Sequence, residues 1–149
     1  MADDPNPDLV DLCYSLALRG YEDGGVPIGS VLARGAAVVA TGYNQRVQLG
    51  DPIAHGEMDC LRRAGRQLSY RDATLYTSLS PCMMCSGTIV QFKIPRIVIL
   101  ENVNFGGNED FLRSHGVDVR ILGDERCIAL MRDFIERNPA LWNEDIAEN

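Results

Sequence analysis

Two short motifs constrain this chain more than anything else in its sequence. His55-Gly56-Glu57 holds one of only two histidines, and Pro81-Cys82-Met83-Met84-Cys85, whose first cysteine lies 27 positions after that histidine, holds two of the five cysteines. Each motif stands where the residue pattern predicts the start of a helix. A fold that uses both must bring two helix starts to one point.

The rest of the pattern supplies such a fold. Asn6-Pro7, a side-chain cap followed by proline at the first helical position, precedes Leu9, Leu12, Cys13, Leu16 and Ala17 at helical spacing, with an expected end near Gly20. Val26 to Ala33 and Ala37 to Thr41, joined through Arg34-Gly35, read as a hairpin, followed by a polar connection from Gly42 to Pro52. A helix is predicted from about Ala54 to Ala64 with Gly65 as its stop, then a strand over Ala73 to Ser78. Ser80-Pro81 opens a third helix reaching Phe92, closed by Ile94-Pro95. Arg96 to Leu100 and Val117 to Leu122 read as strands, with a helical turn over Glu109 to Ser114 between them. Glu125 to Arg137 carries Ile128, Met131, Phe134 and Ile135 on one helical face, and Pro139 to Asn149 remains an unassigned tail. The expected class is α/β in layers, one domain over residues 1–149, with a five-stranded mixed sheet covered by helices on both faces.

Composition narrows the functions. With 149 residues, 46% of them apolar and 23% charged, the chain is expected to bury one core rather than stay disordered. No apolar stretch approaches the roughly 18 residues that cross a bilayer, and the acidic, proline-containing start is unlike a secretory leader, so a cytoplasmic location without a membrane partner is expected. The net charge of −7, with no cluster of Lys and Arg, disfavours nucleic acid. Cys13, Cys60 and Cys127 fall among helical apolar positions and read as core; His115, before Gly116, reads as a surface turn residue.

Cysteines three apart at a helix start lie near one another, and the unpaired amide donors there favour their thiolate forms. Adding His55 makes two soft anionic ligands and one borderline nitrogen, a set that suits Zn²⁺ better than Mg²⁺ or Ca²⁺. Three ligands leave a fourth position for water, whose pKa such an ion lowers to about 7, and Glu57 is the candidate proton carrier. Two residues apart on a helix point to nearly opposite sides, so His55 must lie at or before the helix end, with Gly56 expected to provide a distorted, non-helical turn. A C-x-x-C pair can also be redox-active or simply packed, and a lone histidine is often structural; the combination and order of both motifs favour the metal.

H-x-E followed by P-C-x-x-C is the signature of the zinc nucleobase deaminases. The chain resembles the yeast-type cytosine deaminases, within the cytidine/deoxycytidylate deaminase superfamily, over nearly its whole length. The shared stretches are GGVPIG from Gly24, GYNQR from Gly42, HGE from His55, TLYTSLSPCMMC ending at Cys85, ENVNF from Glu101, DERC from Asp124 and LWNEDI from Leu141. The zinc motifs are common to cytidine, guanine and tRNA adenosine deaminases, so the tail and ENVNF carry the choice among them. Met83, where the yeast type has an acidic residue, departs from the pattern.

The resemblance implies hydrolysis of cytosine to uracil and ammonia, one Zn²⁺ per chain on His55, Cys82 and Cys85, and Glu57 as the catalytic proton shuttle. It further implies that Asn44 and Asp145 bind the base, that Gly56 and Ser80 present main-chain groups, and that Phe105 and Trp142 wall the pocket. Residues 138–149 would close the site, and the protein would be a homodimer acting on a small nucleobase. Rival readings are the same chemistry on isocytosine, guanine or creatinine, a nucleic-acid editor, and a zinc-stabilised interaction module without catalysis.

Overall fold

The computed structural model describes residues 4–148; residues 1–3 and Asn149, the last position of the expected closing segment, lie outside the described residues. The branched apolar runs form a five-stranded sheet in the order β2-β1-β3-β4-β5. β1 (Gly29–Arg34) and β2 (Ala37–Tyr43) make the hairpin, turning at Gly35 with φ +58°. β3 (Ala73–Thr77) is antiparallel to β1 and parallel to β4 (Arg96–Ile99), which is parallel to β5 (Asp118–Ile121).

Successive strand residues point to opposite faces, and the two faces are dressed differently. Leu32, Leu75, Ile97 and Ile99 pack with Cys60 and Leu61 of α3 (Gly56–Ala64), Ile89 of α4 (Met83–Gln91) and Leu112 of α5 (Glu109–Ser114). Their neighbours Val31, Ala33, Tyr76 and Val98 pack with Leu9 and Cys13 of α1 (Pro7–Glu22) and Cys127 of α6 (Glu125–Arg137). Full burial of such side chains is worth about 1.5–3 kcal/mol each, which makes this alternation the main support of the fold. The expected mixed sheet with helices on both faces is what forms.

A third cluster sits beyond the strand ends, where Val26, Ile28 and Leu79 meet Met131, Phe134 and Trp142. It joins α6 to α7 (Pro139–Asp145), a helix in the tail that the sequence pattern left unassigned. α2 (Arg46–Leu49), one turn inside the polar connection, is likewise additional.

Several boundaries move for local reasons. α1 runs past Gly20 to Glu22 because Gly20 is a packing residue: a Cβ there would sit 3.2 Å from Cδ2 of Tyr43. β1 starts at Gly29 rather than Val26, since Pro27 has no N–H for a strand ladder. The third expected helix begins at Met83 with Cys82 as its cap, not at Ser80. Pro81 biases Ser80 toward extended backbone, and the Ser80 hydroxyl donates to Glu109 instead.

Candidate active site

The parallel strands β3 and β4 end side by side, and the chain leaving them carries Ser80 and the cysteine motif on one side and Glu101 on the other. Ligand crevices in open α/β sheets lie outside these carboxyl ends. The helix starts of α3 and α4 converge there.

α3 reaches the site because it lies almost directly on β2. A Cβ on Gly42 would stand 2.4 Å from the Cys60 nitrogen, so only glycine allows this approach. Asp59, buried on the same helix, accepts from the Tyr43 amide at 3.2 Å, Gln45 Nε2 at 3.2 Å, Arg62 at 2.8 Å and Arg63 at 3.1 Å. The strand end and the helix start are thereby tied together. His55 is the cap of α3, with extended backbone at φ −66°, ψ 160°, and Gly56 is the first helical residue. His55 lies at the helix end, as expected, and its own extended backbone makes the turn that lets it share one site with Glu57; Gly56, expected to permit a non-helical turn, is already helical. Gly56 is small for a different reason: a Cβ would press on Ile28, 3.0 Å from its carbonyl oxygen.

Cys82 caps α4, its sulfur accepting from the Cys85 amide at 3.5 Å. Cys82 Sγ lies 3.4 Å from His55 Nδ1, and the ligand atoms of His55, Cys82 and Cys85 all fall within 4.8 Å of one another. A tetrahedral zinc with bonds of about 2.3 Å to sulfur and 2.0 Å to nitrogen holds such atoms about 3.6 Å apart, so the donor set and its spacing fit that ion.

These groups also share protons among themselves, and a bound zinc ion would displace those on His55 and Cys85. The hydrogen bond from the Cys85 thiol, opposed by burial and helped by His55, pulls Cys82 down to about 4; Cys85 keeps the proton and is raised. Burial works to lower His55, but the hydrogen bond with Cys82 and the charges of Asp145 and Glu57 outweigh it and raise it to about 9. Glu57 is pushed up to about 7 by burial and the Cys82 thiolate, against His55, its own amide and the Cys85 thiol.

Above these groups lies a cavity of about 20 Å³, room for roughly one water. Of the expected site residues, His55, Glu57, Ser80, Cys82, Phe105, Trp142 and Asp145 line it. Cys85 is buried behind Cys82, and Asn44 behind Asp145, to which its Nδ2 donates at 3.2 Å while its Oδ1 accepts from the Arg46 amide at 3.0 Å. Asp145 Oδ1 stands 3.9 Å from His55 Nε2 and is raised by burial, although His55 and Asn44 pull it down. The Ser80 N–H is spent on the Glu101 carbonyl at 3.0 Å, which leaves only its carbonyl for a ligand. Phe105 meets Trp142 edge to face, centroids 6.1 Å apart.

Ile28, Leu79 and Ile146 also line the cavity. Nothing in their sequence setting distinguishes them from core. Of the supporting carboxylates Asp59 and Glu101 are buried and Glu109 half-buried, and their sequence setting does not set them apart from surface acids.

Comparison with known proteins decides the family. The zinc-binding region of cytidine and deoxycytidylate deaminases matches residues 5–101. This chain belongs to that family. It is accordingly a hydrolase acting on a carbon–nitrogen bond, with zinc as its cofactor and His55, Cys82 and Cys85 placed as possible ligands. A cytosine deaminase of Candida albicans is 47% identical over 135 residues, covering 89% of this chain and 90% of that one. A solved structure from a study of A-to-I editing by tRNA:A34 deaminases superposes with TM-score 0.76 at 28% identity, covering 84% of this chain and 99% of the other. The guanine deaminase of Bacillus subtilis gives TM-score 0.59 at 29% identity, over 76% of this chain and 72% of the other. Among the described residues no helix is long and apolar enough to cross a membrane.

Proposed function

We propose that the chain hydrolyses cytosine to uracil and ammonia, as one domain whose C-terminal segment 138–149 closes the active site. The observation that carries this reading is the lid. Trp142, Asp145 and Ile146 come from the tail and cover the zinc-ligand cavity, so the pocket faces a small enclosed molecule rather than a polymer. The Candida relative, a cytosine deaminase, matches over nearly the full length of both chains. The net charge of −7 works against a nucleic-acid substrate.

His55, Cys82 and Cys85 would hold the zinc ion, which when bound supplies the Lewis acidity that makes water a nucleophile near neutral pH. Glu57 takes one proton as water adds to the ring carbon bearing the amino group and gives it to the adjacent ring nitrogen; it then takes the remaining hydroxyl proton and gives it to the departing amine. The new C–O bond replaces the C–N bond, and ammonia leaves. Asp145, an acceptor only, reads N–H groups of the base; Asn44 orients Asp145 through the 3.2 Å bond and keeps its second amide hydrogen and a carbonyl lone pair for the base. Gly56, whose amide lies in the unpaired first turn of α3, and the Ser80 carbonyl supply main-chain contacts. Phe105 and Trp142 enclose the ring and exclude water.

The family resemblance supports a cytoplasmic homodimer, which sedimentation of the purified protein tests. The activity is tested by ammonia release from cytosine, isocytosine, guanine and creatinine. Cytosine should be preferred by at least about tenfold in kcat/KM, since a site built on specific hydrogen bonds rejects rings that leave them unpaired. Equal or better turnover of guanine would reassign the substrate while leaving the chemistry in place.

A further inference from the structure

Glu101 is a carboxylate without exposed surface that takes no part in the proton chemistry. It follows β4, at the end of the apolar run Ile97 to Leu100, where a hydrophobic side chain would serve as core. Burying a charge there is costly unless donors surround it. The donors all come from the next three residues. One oxygen accepts from the amides of Val103 at 2.7 Å and Asn104 at 3.1 Å, and the other from Asn104 Nδ2 at 2.9 Å. The same Nδ2 donates to the Ile128 carbonyl on α6 at 3.1 Å, and the main-chain oxygen of Glu101 accepts the Ser80 amide.

The segment gathered in this way has no regular structure and contains Gly106 and Gly107, the latter at φ +118°, so its own backbone fixes little. It carries Phe105, which stands at the cavity against Trp142. We propose that Glu101 is a positioning residue: by folding residues 101–104 around its carboxylate it holds Phe105 against Trp142, and so governs binding of the base rather than the chemical step. This rests on the reading that the cavity receives a base.

Trp142 is the sole tryptophan, so its emission reports on the Phe105 contact without any substrate. In Glu101→Gln either an amide N–H faces a loop N–H or Asn104 turns its amide to accept and gives up the Ile128 carbonyl, so one bond of the gathering is lost in both cases. The expected result is a red-shifted emission with acrylamide quenching up about twofold, and a KM for cytosine up about tenfold with kcat changed less than about threefold and zinc content intact. Asn104→Ala should move emission and KM in the same direction, and the double variant should add little to Glu101→Gln because both act through one contact set. Variants that keep the wild-type emission and KM and lose only thermal stability would overturn the proposal, as would a fall in kcat at constant KM. Should Glu101→Gln not fold, Asn104→Ala decides on the same two readouts. Failure of the wild-type protein to deaminate cytosine would sink the substrate reading alone, and the emission comparison would still decide the role of Glu101.

Discussion

The floor and the roof of the cavity are built differently. His55 and Glu57 stand at the start of α3, whose backbone lies against the sheet, seated on Gly42 and pinned through Asp59, and Cys82 and Cys85 at the start of α4, anchored in the core through Ile89. The roof, α7 with Phe105, is held by separate side-chain contacts: Arg46 to Glu144, Asn44 to Asp145, and the Phe105–Trp142 edge. The difference separates two tasks. Groups that move protons need fixed geometry, whereas groups that enclose the substrate must release it.

Substitutions in the two regions should accordingly fail in different ways. The largest effect is expected for Glu57→Gln on the floor: turnover should drop by about 10² to 10⁴ with zinc still bound, seen by pairing steady-state rates with metal analysis. If KM rose instead and kcat held, the division of labour would be wrong. Trp142→Ala in the roof should retain zinc and raise KM, lowering kcat/KM by about tenfold or more, and truncating so large a buried ring should cost about 3 kcal/mol in denaturant unfolding. Gly42→Ala drives a methyl into the backbone at Cys60, where no flexible side chain can yield. It should cost about 1–3 kcal/mol and lower zinc affinity with it, measured by unfolding and metal titration. Arg46→Ala removes one partly exposed ion pair of the roof; stability should change by less than about 1 kcal/mol and KM by about threefold.

Legibility in the sequence follows the same division. The sheet was readable because strands buried on both faces, such as Ile97 to Leu100, stand out as short apolar runs bounded by turn residues, while Val117 to Leu122 alternates. The metal ligands were readable because histidine and cysteine are scarce here and stand at spaced helix starts. α7 was not: seven residues with no side-chain cap at Asn138 give too short a pattern, and the helix exists because Trp142 finds Phe134 and Met131. Ile28 and Leu79 reach the cavity only through the way the strand ends meet. The role of Gly56 was misread because flexibility and small size look alike in a sequence, and only the 3.0 Å approach to Ile28 separates them. Glu101 and Asp59 look like surface acids until the fold encloses them.

The most direct test of the whole account follows uracil formation from cytosine while zinc is removed by a chelator and then restored. The account predicts activity that falls and returns in proportion to zinc, saturating at one ion per chain, and a Glu57→Gln protein that regains the ion without regaining turnover. Full activity in the metal-free protein, or a zinc-loaded wild type that leaves cytosine unchanged, would contradict it.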